Sequence, residues 1–529
     1  MKHISTYYHT LKYLKPIQIK YQLLYRLFKA KPLSHYKNSI NPLETTPLKF
    51  IQSPYHYSSY LGNNKFTFLN QEKDFNQQID WSYKEYGALW NYNLQYFNYL
   101  AQEDITKDEK LSLLKDFYQS NVVLEPYPIS LRSINTIRFI LREEIQDSSL
   151  IENLYGELNF LSQRLEFHIL GNHLLENLFA LMMGGVFFQE EKWIQKAHAL
   201  LIEQLDEQIL NDGAHFELSP MYHQIILNRV LELIDWYATY EKKEKQFEHF
   251  LREKAAKMLA WLKNMTFSNG EIPMVNDAAK GIAPTSKELF EYAAKLEIKP
   301  KELSLTDSGY IKWKTLNWEL LMDYGEVGPT YLPGGHAQND IFNILLNVDN
   351  RPVLVDTGTS VYENDLNRRN IERSTSSHNT VQIGLLEQNE MWSGFRMARR
   401  AKVVILNNKG GYIEGYHTGF FFTNKPIHQR KIKVEQNIIS INDRILYNKG
   451  LKSYSYLHFH PSIKLSKNNN SEVVFDFGSI NFINAESTEI EFYNYAIEFG
   501  KTQQALRIKI KFQDILETYI NLKKESIEN

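Results

Sequence analysis

The spacing of apolar positions changes its period once along the chain. From about residue 80 to 300 apolar residues recur at helical intervals, as in Leu178, Leu181 and Met182, and in Ile226, Val230, Leu233 and Tyr237 at i, i+4, i+7 and i+11. Asn211-Asp212-Gly213 and Ser268-Asn269-Gly270 interrupt the pattern, which predicts a run of antiparallel helix pairs. After about 305 the period falls to two. Residues 342–348 and 352–356 flank Asp349-Asn350, a hairpin turn signal, and RKIKVEQNIISIND and LRIKIKF carry the alternation further. Helices followed by strands predict two domains in series: a helical one over 1–300, with an N-terminal extension over 1–80, and an antiparallel β domain over 301–529. The change is expected within 298–307. Residues 467–471 read as a polar loop, and no fixed-period repeat is visible.

Composition narrows the classes. The 529 residues are 43% hydrophobic and 23% charged, which excludes a disordered or fibrous chain and requires a real core. A formal charge of −2 gives no general attraction to nucleic acid, so no such partner is expected. With no cysteine, disulfides, thiol nucleophiles and thiolate metal sites are all excluded, and any metal must sit on His, carboxylate or amide ligands. The 33 Tyr, 30 Phe and 8 Trp suit a cleft that stacks sugar rings, and equally suit ordinary packing. The richest apolar run, 178–188, is short and glycine-interrupted, so no membrane span is expected. The N-terminal stretch MKHISTYYHTLKYLKPIQIKYQLLYRLFKAK lacks the apolar core of a secretory signal, which points to the cytoplasm, with a periplasmic or membrane-peripheral place as alternatives. Its basic, Tyr- and Leu-interleaved pattern suits a membrane surface or packing against the body; packing is the expected use.

Four constellations can carry chemistry. In Gly171-Asn172-His173-Leu174-Leu175-Glu176-Asn177 the residues His173, Glu176 and Asn177 fall on one helix face, offering imidazole, carboxylate and amide to a cleft or else forming a hydrogen-bonded polar face. In the stretch DGAHFELSPMYH, residues 212–223, Ser219-Pro220 is a helix start that places Tyr222 in the first turn. There the helix dipole is expected to favour a phenolate, with His215 or His223 assisting; the plain alternative is a capped helix with a half-buried tyrosine. Two glycines before His336 in GGHAQND bring that loop histidine close to a ligand, or else shape a solvated turn. Asp356 at a strand end, His378 in RSTSSHNT and Gln338 are a possible oxygen and nitrogen ligand set for a metal, although their spacing is dispersed.

Taken together, WNYNLQYFNYL (90–100), EPYPISLRSIN (125–135), GNHLLEN, DGAHFELSPMYH, PMVNDA (273–278), GGHAQND, PVLVDTGT, RSTSSHNTV and NEMWSGFR (389–396) resemble the heparinase II/III-type polysaccharide lyases, in one order from about 90 to 400. The resemblance implies an N-terminal α/α toroid, an incomplete barrel of antiparallel helix pairs, followed by a C-terminal antiparallel β-sandwich, with a cleft for an acidic polysaccharide. It implies that Asn172 and His173 match the family's Asn-His pair, Tyr222 its catalytic tyrosine and His336 its catalytic histidine. Asp356 and His378 match two ligands of a structural metal, zinc or calcium. Gln338 stands where the third ligand is commonly His, as in the heparinase III branch, and an amide oxygen suits calcium, or a site bridged by hydrogen bonds, better than zinc. No organic cofactor is expected.

Those residue types fit β-elimination at a uronic acid. Asn172 would hydrogen-bond the uronate carboxylate as it accepts charge, and Tyr222 and His336 would exchange the C5 and O4 protons. Glu176, Arg132 and Arg373 are the expected substrate-binding companions. Two other readings remain at this point: a glycoside hydrolase using carboxylates among Asp212, Glu217 and Glu176, and a non-catalytic glycan-binding or assembly protein of polysaccharide biosynthesis.

Overall fold

The structure, a computed structural model, describes residues 2–37, 58–240, 242–332, 334–420 and 425–523. Two helices come first, α1 (Lys2–Leu11) and α2 (Pro16–Leu27), then a small hairpin of Lys65–Phe68 with Gln71–Asp74. The helical body follows as α3 (Ala88–Tyr96), α4 (Lys107–Gln119), α5 (Pro126–Arg142), α6 (Ser148–Gln163), α7 (Gly171–Phe188), α8 (Glu191–Gln208), α9 (Pro220–Ala238), α10 (Lys245–Met265) and α11 (Ser286–Lys295). Contacts run α3 to α5 to α7 to α9 to α11 on one ring, and α4 to α6 and α8 to α10 outside it. This is an incomplete α/α toroid. The sequence explains the two layers: α7 is apolar on every side after Asn177 and is buried along almost its whole length, whereas α8 and α10 keep a charged outer face.

Strands take over at Tyr310. An eight-stranded antiparallel sheet runs from Val403–Lys409 at one edge, through Ile438–Leu446 and Ile515–Leu522 at its centre, to Leu465–Asn469. Two four-stranded sheets, one built on Lys501–Phe512 and one on Trp318–Asp323 and Ile344–Val348, pack with it around Leu320, Ile344, Ile432, Ile441, Ile508 and Ile520. The result is a β-sandwich. The hairpin turn lies where expected: Asp349 (φ 48°) and Asn350 (φ 59°) are both left-handed, the geometry that matches strand twist in a two-residue loop. One further helix, α12 (Leu366–Glu372), lies between strands and faces the helical body.

The two halves share apolar and polar ties. Ala214, Leu218, Trp261 and Met265 of the helical side pack with Tyr310, Leu321 and Leu345 of the β side. The Asp212 carboxylate accepts hydrogen bonds from the Ser308 hydroxyl (2.6 Å) and the Ser308 and Thr306 backbone N–H groups. The N-terminal helices bridge the same two halves. Trp392 Nε1 donates to Thr10 Oγ1 (3.0 Å) and Arg399 to Ser5 (2.8 Å) on α1, while on α2 the Tyr25 hydroxyl donates to the Leu165 carbonyl (2.7 Å) and Tyr21 packs on Phe167. Among the described residues no helix is long and apolar enough to cross a membrane.

Candidate active site

A cavity of about 1490 Å³ opens between toroid, sandwich and N-terminal helices, and Asn172, His173, Glu176, Glu217, Tyr222, Arg229, His336 and Tyr362 all border it. Asn172 stands in the first turn of α7, which is entered through Leu170 (φ 65°) and Gly171 (φ 60°). No side chain of the preceding residues caps this helix. The Glu217 carboxylate does so from another segment, accepting from the Asn172 backbone N–H (2.9 Å) and from its side-chain amide (2.9 and 3.1 Å). Burial works against the Glu217 charge, but the histidines His215 and His336 and the Asn172 donors hold its carboxyl below the usual range. Gly171 has a reason to be glycine, since a Cβ there would lie 2.5 Å from Glu217 Oε1.

His173 is carried one position on. Its Nδ1 is 3.1 Å from Glu166 Oε1 and its ring packs on Tyr127; although burial opposes the imidazolium, Glu166 raises the pKa. Asn177 holds the same Glu166 through its amide N–H and accepts from the Glu166 backbone N–H, so the third polar residue of that helix face fixes the loop before α7. Glu176 is fully buried at the cavity wall and receives Arg229 Nε at 2.9 Å.

Ser219 is the N-cap of α9 as its sequence predicts: its Oγ accepts from the Tyr222 N–H and donates to the Asp277 carbonyl. Tyr222 stacks on His336 with ring centroids 3.8 Å apart, and its hydroxyl is 3.3 Å from that of Tyr362. The expected phenolate does not result. Burial, then Tyr362 and the carboxylates Asp277 and Glu217, push the Tyr222 pKa well above 10, and this outweighs the helix dipole. The helping histidines are also misplaced by the sequence reading. His223 and His215 are buried behind the site, bonded to the Met258 carbonyl and to Gln208 respectively, and burial lowers their pKa values to about 3 and about 4.

His336 is positioned by a residue that spacing did not reveal. Asp277, fully buried, accepts from His336 Nδ1 (3.1 Å), from Gln338 Nε2 (2.9 Å) and from both Nη groups of Arg369 on α12. A carboxylate only accepts, so Nδ1 carries the proton and Nε2 is left facing Glu217 Oε2, 3.5 Å away. Pro333, ahead of this loop, lies outside the described residues.

Two predicted substrate contacts are corrected. Arg132 is buried in the toroid, where it chelates Glu157 and donates to the Gln95 carbonyl, and it does not border the cavity. Arg373 is buried under the His336 loop, donating to the carbonyls of Ser393 and Gly394, and burial together with Arg369 brings its pKa down to about 9. The cations that do border the cavity without a carboxylate partner among the described residues include Arg26 of α2 and Arg396. Of the predicted ligand set, His378 Nδ1 and Asp356 Oδ2 meet at 2.8 Å, whereas Gln338 gives its amide N–H to Asp277 and Thr359. Three buried side-chain atoms of Gln338, Asp340 and His378 have no hydrogen-bond partner among the described residues: Gln338 Oε1, Asp340 Oδ2 and His378 Nε2.

Comparison with known proteins places this architecture. A model described as Heparinase II/III N-terminus matches residues 130–304, and one described as Heparinase II/III-like, C-terminal matches residues 298–520. The chain belongs to the heparinase II/III family. Within this family it is 25% identical over 249 residues to a heparin-sulfate lyase of Bacteroides stercoris, and 25% identical over 239 residues to one of Pedobacter heparinus. Each match covers 40% of this chain and only 35% or 36% of the relative, about a third of its length. Among solved structures, the crystal structure of a heparinase III aligns with a TM-score of 0.69 at 14% identity, covering 98% of this chain and 94% of that one. A heparan sulfate lyase HepC mutant from Pedobacter heparinus aligns at 0.58 and 16%, covering 88% and 82%. These likenesses extend the toroid-then-sandwich fold of the heparinase II/III family over nearly the whole chain.

Proposed function

We propose that the chain is a polysaccharide lyase that cleaves a uronic-acid-containing acidic polysaccharide by β-elimination. The observation that carries this reading is the stacked Tyr222–His336 pair facing Asn172 and Glu217 in one cavity. With Nδ1 protonated toward Asp277, His336 Nε2 is the base that takes the C5 proton. Tyr222, held neutral, is the acid that protonates O4. The C5–H bond breaks, its electron pair forms the C4=C5 double bond, and the C4–O4 bond breaks as the leaving oxygen gains the tyrosine proton. Asn172 shares its amide with the uronate carboxylate, while Glu217 faces the imidazolium that forms at His336. Arg26 and Arg396 supply positive charge to a polyanion in the cavity.

The hydrolase reading loses its carboxylate pair, because Asp212 is spent on Ser308 and Thr306, and Glu176 is neutralised by Arg229. A panel of uronate polysaccharides followed by ultraviolet absorbance is the test. A lyase gives a conjugated unsaturated uronate that absorbs, and new reducing ends without absorbance on any member would overturn the proposal.

We also propose that a divalent cation is held behind the His336 loop by His378 Nε2 and the free Gln338 oxygen, with Asp356 orienting the imidazole through its Nδ1–H. The unpartnered Gln338 Oε1 and His378 Nε2 support this donor set, which would supply structural stiffness only. Burial opposes the His378 charge and Asp356 raises its pKa, so a proton competes with a cation for that imidazole. Elemental analysis of purified protein below one metal per ten chains, with a melting temperature indifferent to chelator, would remove the cation by that order of magnitude.

A further inference from the structure

The N-terminal helices are built inside out. On α1, Thr6 and Thr10 face the body, and Ile4, Tyr8 and Leu11 fall within about 60° of one another on the opposite side at 100° per residue. On α2, Gln18, Tyr21 and Tyr25 face the body, while Ile19, Leu23 and Leu27 form an i, i+4, i+8 stripe on the other side. A helix of a soluble protein normally turns such a stripe inward. Here it faces out: Ile4 and Leu27 are each 75% exposed, and Phe28, just past α2, is 65% exposed. Of the large apolar side chains exposed among the described residues, nine lie in the first 28 positions. Leu11, Ile19 and Leu23 reach the rim of the cavity, but Ile4, Tyr8, Leu27 and Phe28 lie away from it, and nothing in the catalytic geometry accounts for their exposure.

Its charge says what it fits. Eight Lys and Arg and no Asp or Glu precede Glu44, in a chain whose formal charge is −2. Lys12, Lys20, Lys29 and Lys31 are exposed beside the apolar stripes, and none meets a carboxylate among the described residues. A surface meant for a polyanionic glycan needs the cations but gains little from exposed Ile, Leu and Phe. Aliphatic stripes rimmed by lysine, with tyrosine at their edge, are what an anionic lipid interface rewards. We propose that α1 and α2 form a docking surface for an anionic membrane. Tyr7, Leu11, Ile19 and Leu23 of these helices also border the cavity, so docking sets the mouth of the cleft beside the lipid surface. The glycan would then be met close to a membrane.

The test uses the whole chain and needs no catalysis. Cosedimentation with phosphatidylcholine vesicles containing phosphatidylglycerol should retain it at least about ten-fold better than pure phosphatidylcholine, with binding falling as salt is raised. Ile4→Asp with Leu27→Asp should lower that binding by about ten-fold or more, and Lys20→Glu with Lys29→Glu should lower it too. Both side chains of the first pair point into solvent, so circular dichroism and melting temperature should match wild type. Three outcomes overturn the proposal: no retention by anionic vesicles; retention unchanged in both variants; or no vesicle binding together with a solution dimer, or a uronate polysaccharide complex, that the Ile4→Asp/Leu27→Asp variant loses.

Discussion

Tyr222 and His336 reach their roles through burial and partners. Since burial and Tyr362 hold the phenol neutral, removing its hydroxyl removes a proton donor and little else: Tyr222→Phe keeps the ring on His336 and gives up one 3.3 Å contact. Turnover on a uronate polysaccharide should fall roughly 100- to 10,000-fold with the melting temperature nearly unchanged. Activity within a few-fold of wild type would remove Tyr222 from the mechanism. Asp277 acts through His336, so Asp277→Asn keeps shape but lets the amide offer an N–H toward Nδ1. The imidazole then turns its proton to Nε2, the atom that must act as base. Nitrogen chemical shifts of His336 should report the changed tautomer, and kcat should fall by about 100-fold or more with KM little altered. An unchanged tautomer would mean Arg369, with Gln338, orders the loop without Asp277.

At the scale of elements, the sequence speaks clearly wherever a rule is local. The two hydrophobic periods separate helices from strands, Asp349-Asn350 makes its turn, and Ser219-Pro220 starts α9, because each depends on residues within a few positions. The site is assembled differently. Asp277 reaches His336 across 59 residues and Arg369 across 92, and Tyr222 meets Tyr362 across 140. No local spacing encodes such pairs. PMVNDA was visible as a matching stretch, yet nothing in it set Asp277 apart. The same blindness misplaced Arg132 and Arg373, whose basic character suggested a substrate while Glu157 and backbone carbonyls were already waiting for them. The start of α7 combines both kinds of information. Gly171 is local grammar, but its reason is Glu217, 46 residues on. Gly171→Ala should cost about 1–2 kcal/mol for a left-handed alanine. By driving the Glu217 carboxylate off Asn172 it should also lower turnover far more than that stability loss explains. Crystallography of the variant would show whether Glu217 moves; a seated Glu217 with normal turnover would sink this account of α7.

Across the whole molecule, the toroid and the sandwich each own a large apolar core, so two independent unfolding steps would be the simple expectation. The junction argues otherwise. Trp261, fully buried on α10, packs with Tyr310 and donates through Nε1 to Ser308 Oγ (3.0 Å), and Ser308 in turn is held by Asp212 of the toroid. The Asp277–Arg369 ion pair crosses the same boundary with both partners buried, and separating the halves would expose an apolar seam and strand two charges. Wild-type protein should therefore lose its helical and its β-sheet infrared amide bands in one coincident transition with denaturant. Trp261→Ala removes the central ring and its hydrogen bond, a loss of about 3–5 kcal/mol that falls on the seam and leaves both cores intact. The two signals should then separate, with the toroid and the sandwich melting at different denaturant concentrations. Coincident curves in the variant, merely shifted together, would show that the halves are coupled mainly through the Asp277–Arg369 pair, and Arg369→Gln would be the change that parts them.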